Sequence, residues 1–205
     1  MNKPLISIKM IQRIRDLSIV VIILPVFVPL FLLVVLLSFM LHKNNIFFSQ
    51  KRLGFDQRKF NLYKFRSMIV NAQGKGSGLY SFGDDKRITP FGKILRRTSL
   101  DELPQLLNVI KGEMSFVGPR PAVVGELEEE SGMPPNVADR FKVKPGLTGW
   151  AQIHGRDNLS WQQKIVFDLE YVSFSPVKRL LVDIYIIMYT PLYLLNFNAT
   201  YEKRN

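Results

Sequence analysis

The sequence predicts an α/β fold of a particular kind: a mostly helical, membrane-associated domain with a short β element, an N-terminal re-entrant broken membrane helix and interfacial amphipathic helices. Three observations lead there. Leu17 to Leu41 contains no charged residue over its 25 positions. The formal charge is +11, from 28 Lys and Arg against 17 Asp and Glu. Strand-and-turn patterning follows the apolar run between Asn45 and Met68, and helix starts and stops punctuate the chain after it.

At 205 residues and 47% hydrophobic content, one domain plus an appendage is the natural division. We place the appendage at residues 1–44 and the domain at 45–205. The absence of cysteine excludes a disulfide framework and a Cys-ligated zinc site. His42 and His154 are too few for a His-rich metal site. The positive charge favours a polyanionic partner. Beside an apolar run, that partner is an anionic membrane surface or a phosphorylated substrate rather than nucleic acid.

The apolar run is long enough to span a bilayer core of ~30 Å. It is too long for a signal peptide, and no small-residue cleavage site follows it, so it reads as retained. Pro25 and Pro29 lie near its middle, where each removes a backbone hydrogen bond and bends the helix. Both flanks are basic: Lys3, Lys9, Arg13 and Arg15 before, and Lys43, Lys51, Arg52, Arg58, Lys59, Lys64 and Arg66 after. Positive charge ordinarily marks one side of a membrane. Cations on both flanks suit a helix that enters, breaks and returns to the same face. Each half would be roughly 18 Å long, too short to cross alone. A kinked but ordinary transmembrane helix is the other reading of the same pattern.

Ile46-Phe47-Phe48 is a β-prone run, and Gly54 with Asp56 supplies a turn. Phe60 to Arg66 alternates, with Phe60, Leu62, Lys64 and Arg66 on one face and Asn61, Tyr63 and Phe65 on the other. Asn71 to Gly83 is Gly-rich and reads as a loop. Its Gly74-Lys75-Gly76-Ser77-Gly78 lacks the spacing and the following helix of a phosphate-binding loop. Thr89-Pro90 is a helix start, with Thr as N-cap and Pro at the first helical position, for a helix ending near Arg97. A second helix covers about Pro104 to Lys111, with Gly112 as its stop. Gly118 to Pro121 cannot be regular. Glu126 to Glu130 reads as a solvated helix face or loop, and Gly132 to Pro135 as a break. Val143 to Trp150 is turn-rich. Ser160 to Tyr171 reads as a helix. Leu180 to Leu195, apolar but holding Asp183 and Pro191, reads as an interfacial helix.

The chemistry concentrates at Arg96-Arg97-Thr98-Ser99-Leu100-Asp101-Glu102-Leu103-Pro104-Gln105-Leu106. Asp101 and Glu102 would project about 100° apart on a helix, so both could border one site. One reading is purely structural: Ser99-x-x-Glu102 fits a capping box, with Asp101 favoured by the helix dipole. Pro104 strains that reading, because a helix begun at Ser99 would put proline where a backbone donor is needed. The other reading is catalytic. A carboxylate can attack a phosphoryl centre and form an acyl phosphate. Mg²⁺ with oxygen ligands can offset pyrophosphate charge, and arginine binds phosphate through two donors. Arg120, between two prolines, and Arg156, after a glycine, are candidates.

Five segments then occur in order: Lys64-Phe65-Arg66-Ser67-Met68, Ser99 to Gln105, Asn108 to Ser115, Phe116-Val117-Gly118-Pro119-Arg120-Pro121, and Lys144 to Gln152. Together they resemble the bacterial sugar transferases that are monotopic phosphoglycosyl transferases, in their small, catalytic-domain-only form. The resemblance covers essentially the whole chain.

The resemblance implies transfer of a sugar-1-phosphate from a UDP-sugar to a polyprenyl phosphate, usually undecaprenyl phosphate, with release of UMP. It implies a place at the cytoplasmic face of the bacterial inner membrane, Mg²⁺ as cofactor, and membrane lipids as partners; a homodimer is compatible with it. By the matched motif Asp101 is the nucleophile of a two-step covalent mechanism. Glu102 assists with Mg²⁺ or a proton, and both carboxylates are metal-ligand candidates. Arg120 contacts phosphate, with Lys64, Arg66 and Arg156 as further cations. The family's membrane helix breaks at a Ser-Pro pair. Here the matching pair is Val28-Pro29, with Pro25 as an added proline. The different-class alternative is a non-enzymatic basic membrane scaffold that binds anionic lipids. It explains the charge and the apolar run but gives no reason for the acid dyad. A polytopic sugar-phosphate transferase would need more spans than this chain offers.

Overall fold

The computed structural model describes residues 3–42, 45–72, 85–129, 132–155 and 158–194. The Gly-rich stretch beyond Ala72, Lys43, Arg156 and the polar tail lie outside the described residues.

Helix α1, Lys3–His42, runs without interruption through Pro25 and Pro29. The sequence had led us to expect a break there. Proline removes one donor and bends the helix, but the remaining backbone bonds carry it across. This is the one described helix long and apolar enough to cross a membrane. Its outward side chains, among them Val21, Ile22, Val26, Leu32, Leu36 and Phe39, are exposed.

Strand β1, Phe47–Leu53, pairs antiparallel with β2, Lys59–Phe65, with Phe47 opposite Phe65 and Leu53 opposite Lys59. A 3-10 turn at Phe55–Gln57 joins them, with Asp56 in the left-handed region at φ 54°. The alternation read from the sequence holds: Phe60 and Leu62 are buried on one face and Phe65 on the other.

Helix α1 lies along this hairpin. Val20, Ile23 and Phe27 pack with Phe60, Leu62 and Met114. Further on, Phe31, Val34 and Val35 pack with Phe65 and Leu95. The Phe31 ring lies tilted 5.1 Å from that of Phe65, and Phe47 stacks 5.3 Å from the same ring.

Helix α2, Pro90–Arg97, starts as the sequence indicates, with the Gly92 N–H donating to Thr89 Oγ1 at 2.9 Å. Gly92 is required: a Cβ there would fall 1.9 Å from the Ser67 carbonyl oxygen. A 3-10 helix, Leu100–Gln105, precedes α3, Leu106–Lys111. The expected single helix from Pro104 is therefore two segments, and Pro104 sits in the tighter one. Gly112 ends α3 at φ 80°.

Strand β3, Ser115–Val117, pairs parallel with β4, Gly146–Thr148, an element the turn-rich reading of Val143 to Trp150 did not include. Between them lie α4, Glu126–Glu129, and a 3-10 helix at Val137–Lys142. Helix α5, Trp150–His154, follows β4. Helix α6, Trp161–Ser173, opens with a full capping box between Ser160 and Gln163. Helix α7, Pro176–Leu194, closes the described chain with Pro191 inside it.

A buried polar cluster ties α1 to the other elements. Ser115 Oγ donates to Asp16 Oδ2 at 2.7 Å, Arg15 pairs with Asp183 on α7, and Tyr171 on α6 donates to that same carboxylate at 2.5 Å. The exposed apolar residues of α7, including Val177, Leu181, Ile184 and Met188, give it the one-sided apolar surface of an interfacial helix.

Candidate active site

The acid dyad sits on the 3-10 helix between α2 and α3. Ser99, which precedes it, adopts the left-handed region at φ 57° and makes no side-chain cap. The capping-box reading of Ser99 and Glu102 is thus set aside, and the Glu102 N–H donates to the Ser99 carbonyl at 3.1 Å. A non-glycine residue held there stores strain of about 1–3 kcal/mol, a feature common at functional sites.

Asp101 is 6% exposed. Burial raises its carboxyl above the ordinary range, and the neighbouring Glu102 adds to the rise; Lys64, Arg96 and Arg120 oppose it. Glu102 faces two cations at once. Its Oε1 accepts from Lys64 Nζ at 2.8 Å and from Arg120 Nη2 at 3.0 Å. Burial lowers the Lys64 ammonium below its usual value, with Glu102 acting against that.

Two of the expected cations, Lys64 and Arg120, therefore converge on the dyad from β2 and from the loop after β3. Arg66 makes no bond to the dyad but lines the same cavity as Asp101 and Lys64. It donates to the Asn45 carbonyl at 2.6 Å and to the Phe47 carbonyl at 3.3 Å, at the edge of the cavity next to Asp101. Arg156 is outside the described residues.

Sequence reasoning left several site residues without a role. Arg52 donates to the Pro121 carbonyl at 2.9 Å and so steadies the loop that carries Arg120. Its burial, with Arg120 nearby, brings its pKa down to about 10. Arg96 donates to Ser67 Oγ at 3.0 Å. Arg140 donates to the Arg120 carbonyl at 2.8 Å and pairs with buried Asp168 at 2.7 Å. Glu126 was expected on a solvated face. It instead accepts from the Val123 N–H at 2.7 Å and borders the cavity beside Asp101. Only the arginine pair at 96–97 carried a signal in the sequence; the others depend on which strands and loops meet.

The dyad divides two cavities. One of about 440 Å³ opens on Asp101 and is lined by Gln50, Arg52, Lys64 and Arg96. The other, of about 360 Å³, opens on Glu102 and Arg120 and is otherwise mostly apolar, with Ile23 and Phe27 of α1 and Ile187 of α7 in its walls. A cationic cavity and a mostly apolar cavity thus meet at one acid pair, the first suited to a polar anionic ligand and the second to an amphiphile.

Among the described residues no group of three or more His, Asp or Glu converges as a ready-made metal cage. The two adjacent carboxylates do match what Mg²⁺ takes from protein when substrate phosphates and water complete its shell.

Fold and site together define a mostly helical domain with one long apolar helix, in which a buried Asp101 sits beside a half-buried Glu102 shared by two cations. The chain belongs to the bacterial sugar transferase family, whose sequence model matches residues 7–196. It is 41% identical over 184 residues to an undecaprenyl-phosphate glucose phosphotransferase of Komagataeibacter xylinus, covering 83% of this chain and 34% of that protein. It is 40% identical over 169 residues to a UDP-glucose:undecaprenyl-phosphate glucose-1-phosphate transferase of Escherichia coli, covering 80% of this chain and 36% of that one. With the exopolysaccharide production protein ExoY of Sinorhizobium fredii it shares 38% identity over 194 residues, 87% of this chain and 83% of the relative. The chain thus spans about a third of the length of the first two and most of the third.

Proposed function

We propose that this chain is a phosphoglycosyl transferase that moves a sugar-1-phosphate from a UDP-sugar to polyprenyl phosphate and releases UMP. The observation that carries the reading is the buried Asp101 beside a Glu102 whose oxygen is shared by Lys64 and Arg120. The names of the relatives supply the substrate classes.

In the first step an Asp101 carboxylate oxygen attacks the β-phosphorus of the donor. The bond from that phosphorus to the bridging oxygen breaks, and UMP leaves with the electron pair. In the second step a phosphate oxygen of the lipid acceptor attacks the same phosphorus. The acyl-phosphate bond breaks and the carboxylate is restored. Glu102 holds Lys64 and Arg120 where charge develops on the phosphoryl oxygens. Lys64 and Arg96 flank the cationic cavity and suit the nucleotide diphosphate. Asp101 and Glu102 are the groups that would hold Mg²⁺, which when bound offsets pyrophosphate charge.

The same reading places α1 in the membrane from one face. Its first half meets the domain through Arg13, which donates to the Val109 and Ile110 carbonyls, and its second half through Val34 against Phe65 and Leu95. Domain contacts on both sides of Pro25 and Pro29 support a helix whose two ends lie on one face, bent at the prolines rather than broken. The cytoplasmic face of the inner membrane follows from the cytosolic supply of UDP-sugars.

The test is UMP release from UDP-glucose, UDP-galactose and N-acetylated analogues with undecaprenyl phosphate and Mg²⁺. Activity with one or two donors that vanishes in Asp101→Asn supports the whole reading. Undiminished activity in that variant removes the covalent step. No release with any donor, from folded protein in lipid, leaves the basic scaffold.

A further inference from the structure

One polar side chain beside the dyad has no structural explanation. Gln152 on α5 is 8% exposed, and both its Oε1 and its Nε2 are buried without a hydrogen-bond partner. Leaving one buried amide group unpaired costs about 1–3 kcal/mol, so an orphaned carboxamide calls for a ligand or a bridging water. Space has been made for it: a Cβ at Gly149 would lie 2.8 Å from Gln152 Oε1. Gln152 lines the apolar cavity together with Glu102 and Arg120, and does not line the cationic cavity on Asp101.

We propose that Gln152 is an acceptor-side binding residue that receives the phosphate monoester head of the lipid, beside the Arg120 guanidinium. This rests on the transferase reading above. The cavity walls argue for the acceptor: α1 and α7, the helices with exposed apolar side chains, contribute Ile19, Ile23, Phe27 and Ile187 to them, and the mostly apolar lining suits an amphiphile with one anionic end. The chemistry of the carboxamide agrees. A phosphate monoester, with a second pKa near ~6, presents both P–O⁻ and P–OH around neutral pH. Nε2 donates to the first and Oε1 accepts from the second. The internal diphosphate of a nucleotide sugar carries no such proton, so it leaves half of the carboxamide unpaired.

Steady-state kinetics on the full chain in lipid nanodiscs separates the two substrates, because in a two-step transfer kcat/KM for each reports its own half-reaction. For Gln152→Leu the expected result is a fall of about tenfold or more in kcat/KM for undecaprenyl phosphate, with that for the UDP-sugar changed by less than about twofold. Gln152→Glu should be worse, because it turns a negative charge toward the phosphate. Equal losses for both substrates, or for neither, overturn the proposal. So does a lowered thermal midpoint with the ratio of the two kcat/KM values unchanged, which would assign Gln152 to a water in the small void it shares with Arg140 and Asp168. Binding of undecaprenyl phosphate without donor, compared between the parent and Gln152→Leu, keeps the two readings apart. Weaker binding by the variant together with no UMP release by the parent sinks the transfer reading and leaves the site standing. Equal binding sinks the site.

Discussion

Arg140 donates from Nη2 to the backbone carbonyl of Arg120 at 2.8 Å. One arginine thus fixes the loop from which another reaches the acid dyad. Arg140 is held in turn by Asp168 on α6, through Nε at 3.0 Å and Nη2 at 2.7 Å, and both side chains are buried. Breaking such a pair from one side leaves a buried, unpaired charge and costs about 3–5 kcal/mol. Arg140→Met should therefore unfold at much lower temperature than the parent. The double variant Arg140→Met with Asp168→Leu removes both charges and should recover most of that stability. It should not recover UMP release, because the Arg120 carbonyl stays unheld. A thermal melt and a rate assay on both variants check this, and full activity in the double variant would show that the pair serves stability alone.

Asp101→Asn should abolish UMP release and, at the same time, raise the thermal midpoint. The sign follows from the raised carboxyl. A group that holds its proton more tightly when folded disfavours the fold once that proton is gone. The penalty is complete above the folded pKa and absent below the unfolded pKa of about 3.9. The advantage of the asparagine variant should be largest near pH 8 and shrink as the pH falls through the raised value. Melts at several pH values read this directly, and a midpoint unchanged at all of them would contradict the burial penalty.

The same shift sets the acid limb of the rate profile. On the proposed mechanism Asp101 attacks as a carboxylate, so kcat/KM for the donor should fall with decreasing pH at a higher pH than an ordinary carboxylate near ~4 would give. Lys64 pulls the Asp101 pKa down. In Lys64→Met the residual activity should show its acid limb moved further up the pH scale. A limb displaced downward would mean that another group controls the profile.

Local rules made part of this fold legible. Thr89-Pro90, Gly112 and the Ser160 capping box act within one turn of the chain, and each helix end lies where the sequence puts it. Alternation found β2, because its two faces pack on different partners. The dyad and Arg120 stood out from the residues themselves, and Lys64 came from a matched motif. What stayed hidden depends on approach between distant segments. Strands β3 and β4 are three residues each, too short for a periodic signal, and they pair because Gly146 lets the Gly118 backbone come close. The left-handed turn at Ser99 carries no glycine to announce it. Arg52, Arg140, Asp168 and Gln152 lie far apart in sequence and acquire a role only when the Arg120 loop settles among them. Arg66, carried over as a cation in a matching segment, lines the same cavity as Lys64 while its guanidinium donates to the Asn45 and Phe47 carbonyls.

The path of α1 gives the last prediction. A straight helix that crossed the bilayer would carry its second half away from the domain, yet Phe31 and Val34 are packed against Phe65 and Leu95, and Ser38 beyond them is buried. On the proposed one-face reading, these contacts are kept while the outward face stays in lipid, and both ends of α1 lie on one side. The chain has no cysteine, so a single thiol can be placed at will. Lys9→Cys and Asn45→Cys flank the apolar run in exposed positions. Both should react with an impermeant maleimide from the same side of sealed vesicles, with lysis adding nothing to the difference between them. Labelling from opposite sides would require the contacts of Phe31 and Val34 to come apart in the membrane, and with them the one-face reading of the whole domain.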